Sequence, residues 1–267
     1  MELLWNDGRR FAGRVALVTG AGGTLGGAVA KGFGREGASV VVGYRNSQPA
    51  AEEVASEIVA EGGAARIAQI DVTDQDSVDR FVASAEEWYG RVDVLVNTAG
   101  RIDEADTVRF EEMAPEAATA LLMVDVIGTM RMCRATIPLM RRHGRGVIVN
   151  FSSYYGTGVP PENPINCVPV TYCAAKGAIR GFTAALARDI APDIRVNALA
   201  PGPISGNWEQ EWGVSTEHLE EAKAMNPMKR FGDPREIAET VLFLASDGAG
   251  YINGQVLHVE GGCIASG

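Results

Sequence analysis

The chain has 267 residues, with 24 Lys and Arg against 34 Asp and Glu for a formal net charge of −10. Its 46% hydrophobic and 22% charged residues lie near the averages of globular domains, which argues against disorder, collagen-like repeats and fibrous coiled coil. The negative balance opposes nucleic-acid and anionic-membrane partners and favours a small-molecule one.

The first residues are charged from Glu2 and lack a long apolar core, so residues 1–12 read as an extension and not as a secretory signal. No run of 18 apolar residues is present, and a cytoplasmic location is the expectation. From residue 14, short β-branched runs alternate with helical patterns. Strands are expected at Val15–Thr19, Ser39–Tyr44, Ala65–Ile70, Val92–Asn97, Gly146–Phe151, Ile194–Leu199 and Gln255–Val259. Helices are expected near 24–36, 49–61, 75–89, 113–142, 170–190 and 233–246. This order predicts a single α/β domain over residues 1–267, a doubly wound parallel sheet of about seven strands with helices on both faces. Ligands then belong at the carboxyl ends of the strands. The proline-rich stretch 156–169 and the excursion 200–232 interrupt the rhythm and are candidate pocket loops. Cys133, Cys167, Cys173 and Cys263 form no CxxC pair and the three histidines are scattered, so reduced thiols and no metal site are expected.

The first strand runs into Thr19-Gly20-Ala21-Gly22-Gly23-Thr24-Leu25-Gly26-Gly27 and then a helix, where a glycine turn presents backbone N–H groups to a pyrophosphate. A tight turn without ligand is the alternative. Glycine is in surplus, 32 residues against the roughly 19 of average usage, and much of that surplus falls in this turn and in the loops proposed to meet ligand. After the second strand comes Gly43-Tyr44-Arg45-Asn46-Ser47, with no carboxylate for a ribose 2′-hydroxyl. Arg45, with Asn46 and Ser47 as further donors, favours a 2′-phosphate, hence NADP(H) over NAD(H), which stays possible. A solvated surface arginine is the other reading of Arg45. Farther on, Tyr172 and Lys176 stand one helical turn apart on one face, where the cation favours ionisation of the phenol.

Over nearly its whole length the sequence resembles the common branch of the short-chain dehydrogenase/reductase family, and is similar to 3-oxoacyl-[acyl-carrier-protein] reductases. The resemblance is carried by the order of the glycine turn, Asp71-Val72, Asn97-Thr98-Ala99-Gly100, Ser152-Ser153, Tyr172-x-x-x-Lys176, Asn197 with Pro201-Gly202, and Gly254-Gln255 with Glu260-Gly261-Gly262. It implies a Rossmann-type fold with Gly20, Gly23, Thr24, Leu25 and Gly26 at the pyrophosphate, Asp71 and Val72 at the adenine, and Asn97, Ala99 and Gly100 beside the cofactor. It also implies that Ser153 bonds the substrate carbonyl and Tyr172 transfers the proton. Lys176 then binds the ribose while lowering the tyrosine's pKa, and Pro201, Gly202 and Ile204 flank the nicotinamide, with Ser205 as a hydroxyl there. A homotetramer or homodimer through the helix before the fifth strand and the one bearing Tyr172 belongs to the same expectation.

Two positions and one spacing depart from the family pattern. Thr24 stands where the second turn glycine is usual, and Asp125 replaces the catalytic asparagine, where it still holds a relay water or, if charged, raises the working pH. Ser153 and Tyr172 are spaced more widely than usual because the intervening loop is longer. Tyr154, Tyr155 and Trp208, with Trp212, Ile204 and Val214, are candidates for an apolar substrate surface, or alternatively for packing within a lid. The basic run Arg141-Arg142-His143-Gly144-Arg145 either docks an acidic carrier or complements a helix C-terminus. The leading functional expectation is NADPH-dependent reduction of a ketone to a secondary alcohol, or its reverse. The rivals are a non-catalytic dinucleotide sensor and an isomerase or lyase using transient redox.

Overall fold

The computed structural model describes residues 9–101, 108–158, 169–206 and 214–264. Seven strands form one parallel sheet in the order β3-β2-β1-β4-β5-β6-β7: β1 Val15–Thr19, β2 Ser39–Tyr44, β3 Ala64–Gln69, β4 Val94–Asn97, β5 Gly146–Phe151, β6 Ile194–Pro201 and β7 Val256–Val259. The register pairs Ala16 with Val40 on one side of β1 and with Val94 on the other. Chain order reverses between β1 and β4, so their carboxyl ends diverge into loops that leave a crevice.

Eight α-helices cover the sheet among the described residues: α1 Thr24–Arg35, α2 Gln48–Ala60, α3 Gln75–Tyr89, α4 Pro115–Leu122, α5 Thr129–Arg142, α6 Val170–Asp189, α7 Thr216–Met225 and α8 Pro234–Ala245. The near-continuous apolar strands are explained by two cores. Ala16 and Val18 of β1, with Val40 and Val94, pack against Phe33, Ile58 and Leu242 on one face. Val15, Leu17, Val41 and Leu95 point the other way onto Phe81, Met132 and Met140. Alternate side chains of each central strand thus enter opposite cores, and neither face reaches water.

The expected strands and helices stand within one or two residues of these bounds, with one break and one addition. The β4 ladder starts at Val94, two residues later than expected, because the Asp93 carboxylate accepts the Val15 N–H at 2.9 Å and pairs with Arg91. The helix expected over 113–142 is interrupted by a π-helical turn, Met123–Gly128, between α4 and α5. There the Thr129 hydroxyl donates to the Asp125 carbonyl at 2.7 Å, and Gly128 lies against Val72, where a Cβ would stand 2.6 Å from Cγ2. The added helix, α7, lies in the excursion 200–232 and packs with Val214 and Phe231 in a small apolar cluster.

Candidate active site

Gly20 carries the chain from β1 toward α1 at φ +62°, a left-handed conformation suited to glycine. At Gly26 a Cβ would stand 2.4 Å from the Gly20 carbonyl oxygen and 2.7 Å from Thr98 Oγ1, so only glycine lets the first turn of α1 approach this closely. The Thr98 hydroxyl donates to the Thr19 carbonyl, and the Ala99 N–H donates to Thr19 Oγ1 at 3.1 Å. These bonds join the carboxyl ends of β1 and β4 at the switch point.

A cavity of about 640 Å³ opens there. Gly20, Gly23, Thr24, Leu25 and Gly26 line it from the turn, Arg45 and Asn46 from the end of β2, and Val72, Ala99 and Gly100 from the neighbouring loops. No side chain caps α1 and its first turn holds no acidic residue, so an anion meets no competing carboxylate there. A second cavity, of about 540 Å³, is lined by Ser153, Tyr172, Lys176 and Asp125 together with Pro201, Gly202, Ile204 and Ser205. Thr24, Leu25, Thr98, Gly100 and Arg101 line both cavities, which makes one continuous cleft. A glycine-lined cradle at a helix N-terminus, an arginine at one end and a proton-bearing set at the other fit a dinucleotide in extended form.

Thr24 begins α1 and stands between the two cavities. Gly206 faces it, and a Cβ there would stand 3.9 Å from the threonine, in ordinary van der Waals contact.

At the inner end, β5 delivers Ser153 and α6 delivers Tyr172 and Lys176. Ser153 Oγ accepts the Tyr155 N–H at 3.3 Å, which leaves its own hydrogen for donation. The Ser152 hydroxyl, by contrast, donates to the Lys176 carbonyl at 2.9 Å and ties α6 to β5. Lys176 Nζ lies 5.3 Å from the centre of the Tyr172 ring, donates to the Phe151 carbonyl at 3.2 Å and sits 2.8 Å from Asp125 Oδ2. The other oxygen of Asp125 accepts the Arg101 N–H at 2.8 Å. Burial pushes the Tyr172 phenol above its ordinary value; Lys176 and the Ser153 hydrogen bond oppose the rise and Asp125 adds to it. Burial acts to lower the Lys176 ammonium, but Asp125 beside it holds it above its ordinary value. A phenol, a serine hydroxyl and a paired ammonium at one cavity wall can donate, accept and pass a proton.

Several expected site residues lie elsewhere. Asn97 is buried beneath the cleft, where its amide donates to Asn150 Oδ1 at 2.9 Å, because the strand alternation turns its side chain inward. Ser47 is exposed at the start of α2 and Asp71 lies beside the first cavity, and neither lines it. The Asp71 carboxyl, despite burial that raises it, is held below its ordinary value by the Thr73 hydroxyl and amide and by Arg45, 4.0 Å away. Tyr154 and Tyr155 are 3% and 5% exposed and line neither cavity. They pack edge to face on each other at 4.6 Å, and Tyr155 packs on Tyr172 at 5.9 Å, so here they support the catalytic candidate and do not form a substrate wall. Trp208, Trp212 and the stretch 159–168 lie outside the described residues.

Of the basic run, Arg141 pairs with Asp193, Arg142 with Glu86 and Arg145 with Asp247, so intramolecular partners engage all three. Sequence reasoning missed Arg101, Thr98 and Phe151 as cavity residues. For Arg101 a signal was present, a charged residue directly after the loop glycine at the end of a central strand.

The sequence profile of the family described as enoyl-(acyl carrier protein) reductase matches residues 20–263. The 2,5-dichloro-2,5-cyclohexadiene-1,4-diol dehydrogenase of Sphingobium indicum is 38% identical over 258 residues, covering 95% of this chain and 97% of that protein. The 3-oxoacyl-[acyl-carrier-protein] reductase of Thermotoga maritima is 35% identical over 257 residues, covering 96% and 99%. Among solved structures, a gluconate 5-dehydrogenase from Burkholderia cenocepacia J2315, in complex with NADP and tartrate, superposes with a TM-score of 0.84 at 30% identity, covering 96% and 97%. With matches running almost end to end on a sheet of this topology, the chain belongs to the short-chain dehydrogenase/reductase family of NAD(P)-dependent oxidoreductases.

Proposed function

We propose that this protein is an NADP(H)-dependent oxidoreductase that reduces a ketone to a secondary alcohol, or runs the reverse reaction, with Ser153, Tyr172 and Lys176 as its acting residues. The observation that carries the reading is the shared cleft: Ser153, Tyr172 and Lys176 line the cavity that also holds Pro201, Gly202 and Ile204 and that continues into the glycine-turn cavity ending at Arg45. NADP in the solved gluconate dehydrogenase supports the phosphorylated cofactor.

The turn from Gly20 to Gly26 would hold the pyrophosphate, Arg45 and Asn46 the 2′-phosphate, and Lys176 the nicotinamide ribose hydroxyls. When bound, NADPH supplies a hydride to the carbonyl carbon. Ser153 donates a hydrogen bond to the substrate oxygen and polarises it. Tyr172 gives its phenolic proton to that oxygen as negative charge develops, and Lys176 favours the phenolate left behind. The products are the alcohol and NADP⁺, and a solvent proton restores the phenol.

The relatives are named for a chlorinated cyclic diol, a sugar acid and a carrier-bound 3-oxoacyl chain. Leu122 of α4 and Val170 of α6 are large apolar side chains left over a third exposed, which supports a homodimer or homotetramer through these helices. Among the described residues no helix is long and apolar enough to cross a membrane.

The test is turnover of NADPH across a panel of ketones, followed by Tyr172→Phe. Loss of the phenolic proton is expected to cost at least about 10²-fold in kcat while NADPH binding persists. Full turnover in this variant would rule the mechanism out.

A further inference from the structure

The charge beside the proposed proton donor differs from that of an amide-bearing site. Asp125 projects from the π-helical turn with none of its side chain exposed, one oxygen 2.8 Å from Lys176 Nζ and the other accepting the Arg101 N–H. Gly100 leaves this pair room, since a Cβ there would stand 3.4 Å from Asp125 Oδ2 and 3.5 Å from Lys176 Nζ. The groups facing the phenol are Lys176 and Cys173 from α6, Asp125 from the π turn, and Ser153, Tyr155 and Tyr154 from the end of β5. Cys263 of the C-terminal segment belongs to the same cluster, and Arg101 lines the cavity from the loop after β4.

An ammonium alone favours a neighbouring phenolate. Paired with a buried carboxylate it is part of a neutral unit, and the phenolate gains less from it.

We propose that Asp125 is a positioning and charge-compensating residue that anchors Lys176 and holds the Tyr172 proton in place. Carbonyl reduction then persists to higher pH, and alcohol oxidation begins at higher pH, than with an uncharged side chain at this position. The inference deepens the reductase reading and rests on its assignment of Tyr172. Reduction consumes the phenolic proton, so it fails once that proton is lost to solvent. Oxidation needs the phenolate as base, so it fails while the proton remains.

Asp125→Asn isolates the charge, because its amide oxygen can still accept the Arg101 N–H. Tyr172 is titrated in the cofactor-free protein through phenolate absorbance, as the difference between each protein and its Tyr172→Phe counterpart. The midpoint is expected to fall by about one to two pH units in Asp125→Asn, and the acid limb of kcat/KM for alcohol oxidation to fall with it. Asp125→Glu, which keeps the charge, is expected to restore the wild-type midpoint. A folded Asp125→Asn protein titrating within about 0.3 units of wild type would overturn the proposal. If that variant does not fold, Asp125→Ser decides: a midpoint about one unit below wild type supports the proposal and one within about 0.3 units of wild type overturns it. The titration needs no substrate, so a failed search for turnover counts against the reductase reading and leaves this result standing.

Discussion

Lys176→Met tests the buried pair through stability and needs no knowledge of the substrate. In the native protein 7% of the Lys176 side chain and none of the Asp125 side chain is exposed. The methionine fills similar space but leaves the carboxylate with one hydrogen bond, from the Arg101 N–H at 2.8 Å, and removes the donor to the Phe151 carbonyl. Orphaning one member of a buried pair costs about 3–5 kcal/mol, and the surviving Arg101 bond places this case at the lower end, about 3 kcal/mol. For a domain of this size each kcal/mol moves Tm by about 2–4 °C, so a fall of about 6–12 °C is expected in thermal unfolding followed by circular dichroism at neutral pH. Adding Asp125→Asn removes the stranded charge and is expected to recover more than half of that loss, a coupling that two independent sites would not show. The sign with pH follows from Lys176, whose folded-state value is raised above 10.5. The pair's contribution is complete below that pH and is lost as pH rises through the folded value, so wild type and variant converge in strong alkali. A Lys176→Met protein melting within about 2 °C of wild type would refute the reasoning.

Arg45→Ala is expected to raise KM for NADPH by about 10- to 100-fold and to leave KM for NADH nearly unchanged, as loss of a charge-assisted bond to phosphate requires; equal effects on the two cofactors would refute the 2′-phosphate assignment. Gly26→Ala forces a Cβ to within 2.4 Å of the Gly20 carbonyl oxygen, and both are backbone positions with little room to yield. It is expected to cost about 1–3 kcal/mol in unfolding and at least about tenfold in NADPH affinity by fluorescence titration. Native affinity with native Tm would show that the turn tolerates the side chain.

Much of the cleft was legible because its determinants are local. Glycine at positions 20, 23 and 26 after a β-branched strand, and a phenol and ammonium four residues apart, define shapes within a single turn or helix, and all of them line the cleft. Asn97, which the resemblance sets beside the cofactor, lines neither cavity, and local sequence cannot tell which way a side chain leaves a strand when both faces are apolar. Tyr154 and Tyr155 follow Ser153 directly, yet the chain turns there, with the Tyr154 N–H bonded to the Pro201 carbonyl at 3.0 Å, and the rings go into a cluster with Cys263. The π turn escaped periodicity altogether, since it inserts a residue into a continuous apolar pattern without altering composition.

The sequence by itself determined the alternation of strands and helices, the glycine turn, and the presence of Arg45 where a carboxylate is otherwise expected. The tertiary structure alone decided what Asp125 touches. Positions 101, 125 and 176 meet only when β4, the π turn and α6 pack together, and at 2.8 Å the carboxylate touches the lysine itself, where the sequence allowed a bridging water between them. Distances between distant chain segments are set by the packing of whole elements, and the charge of one such neighbour governs how firmly the tyrosine holds its proton.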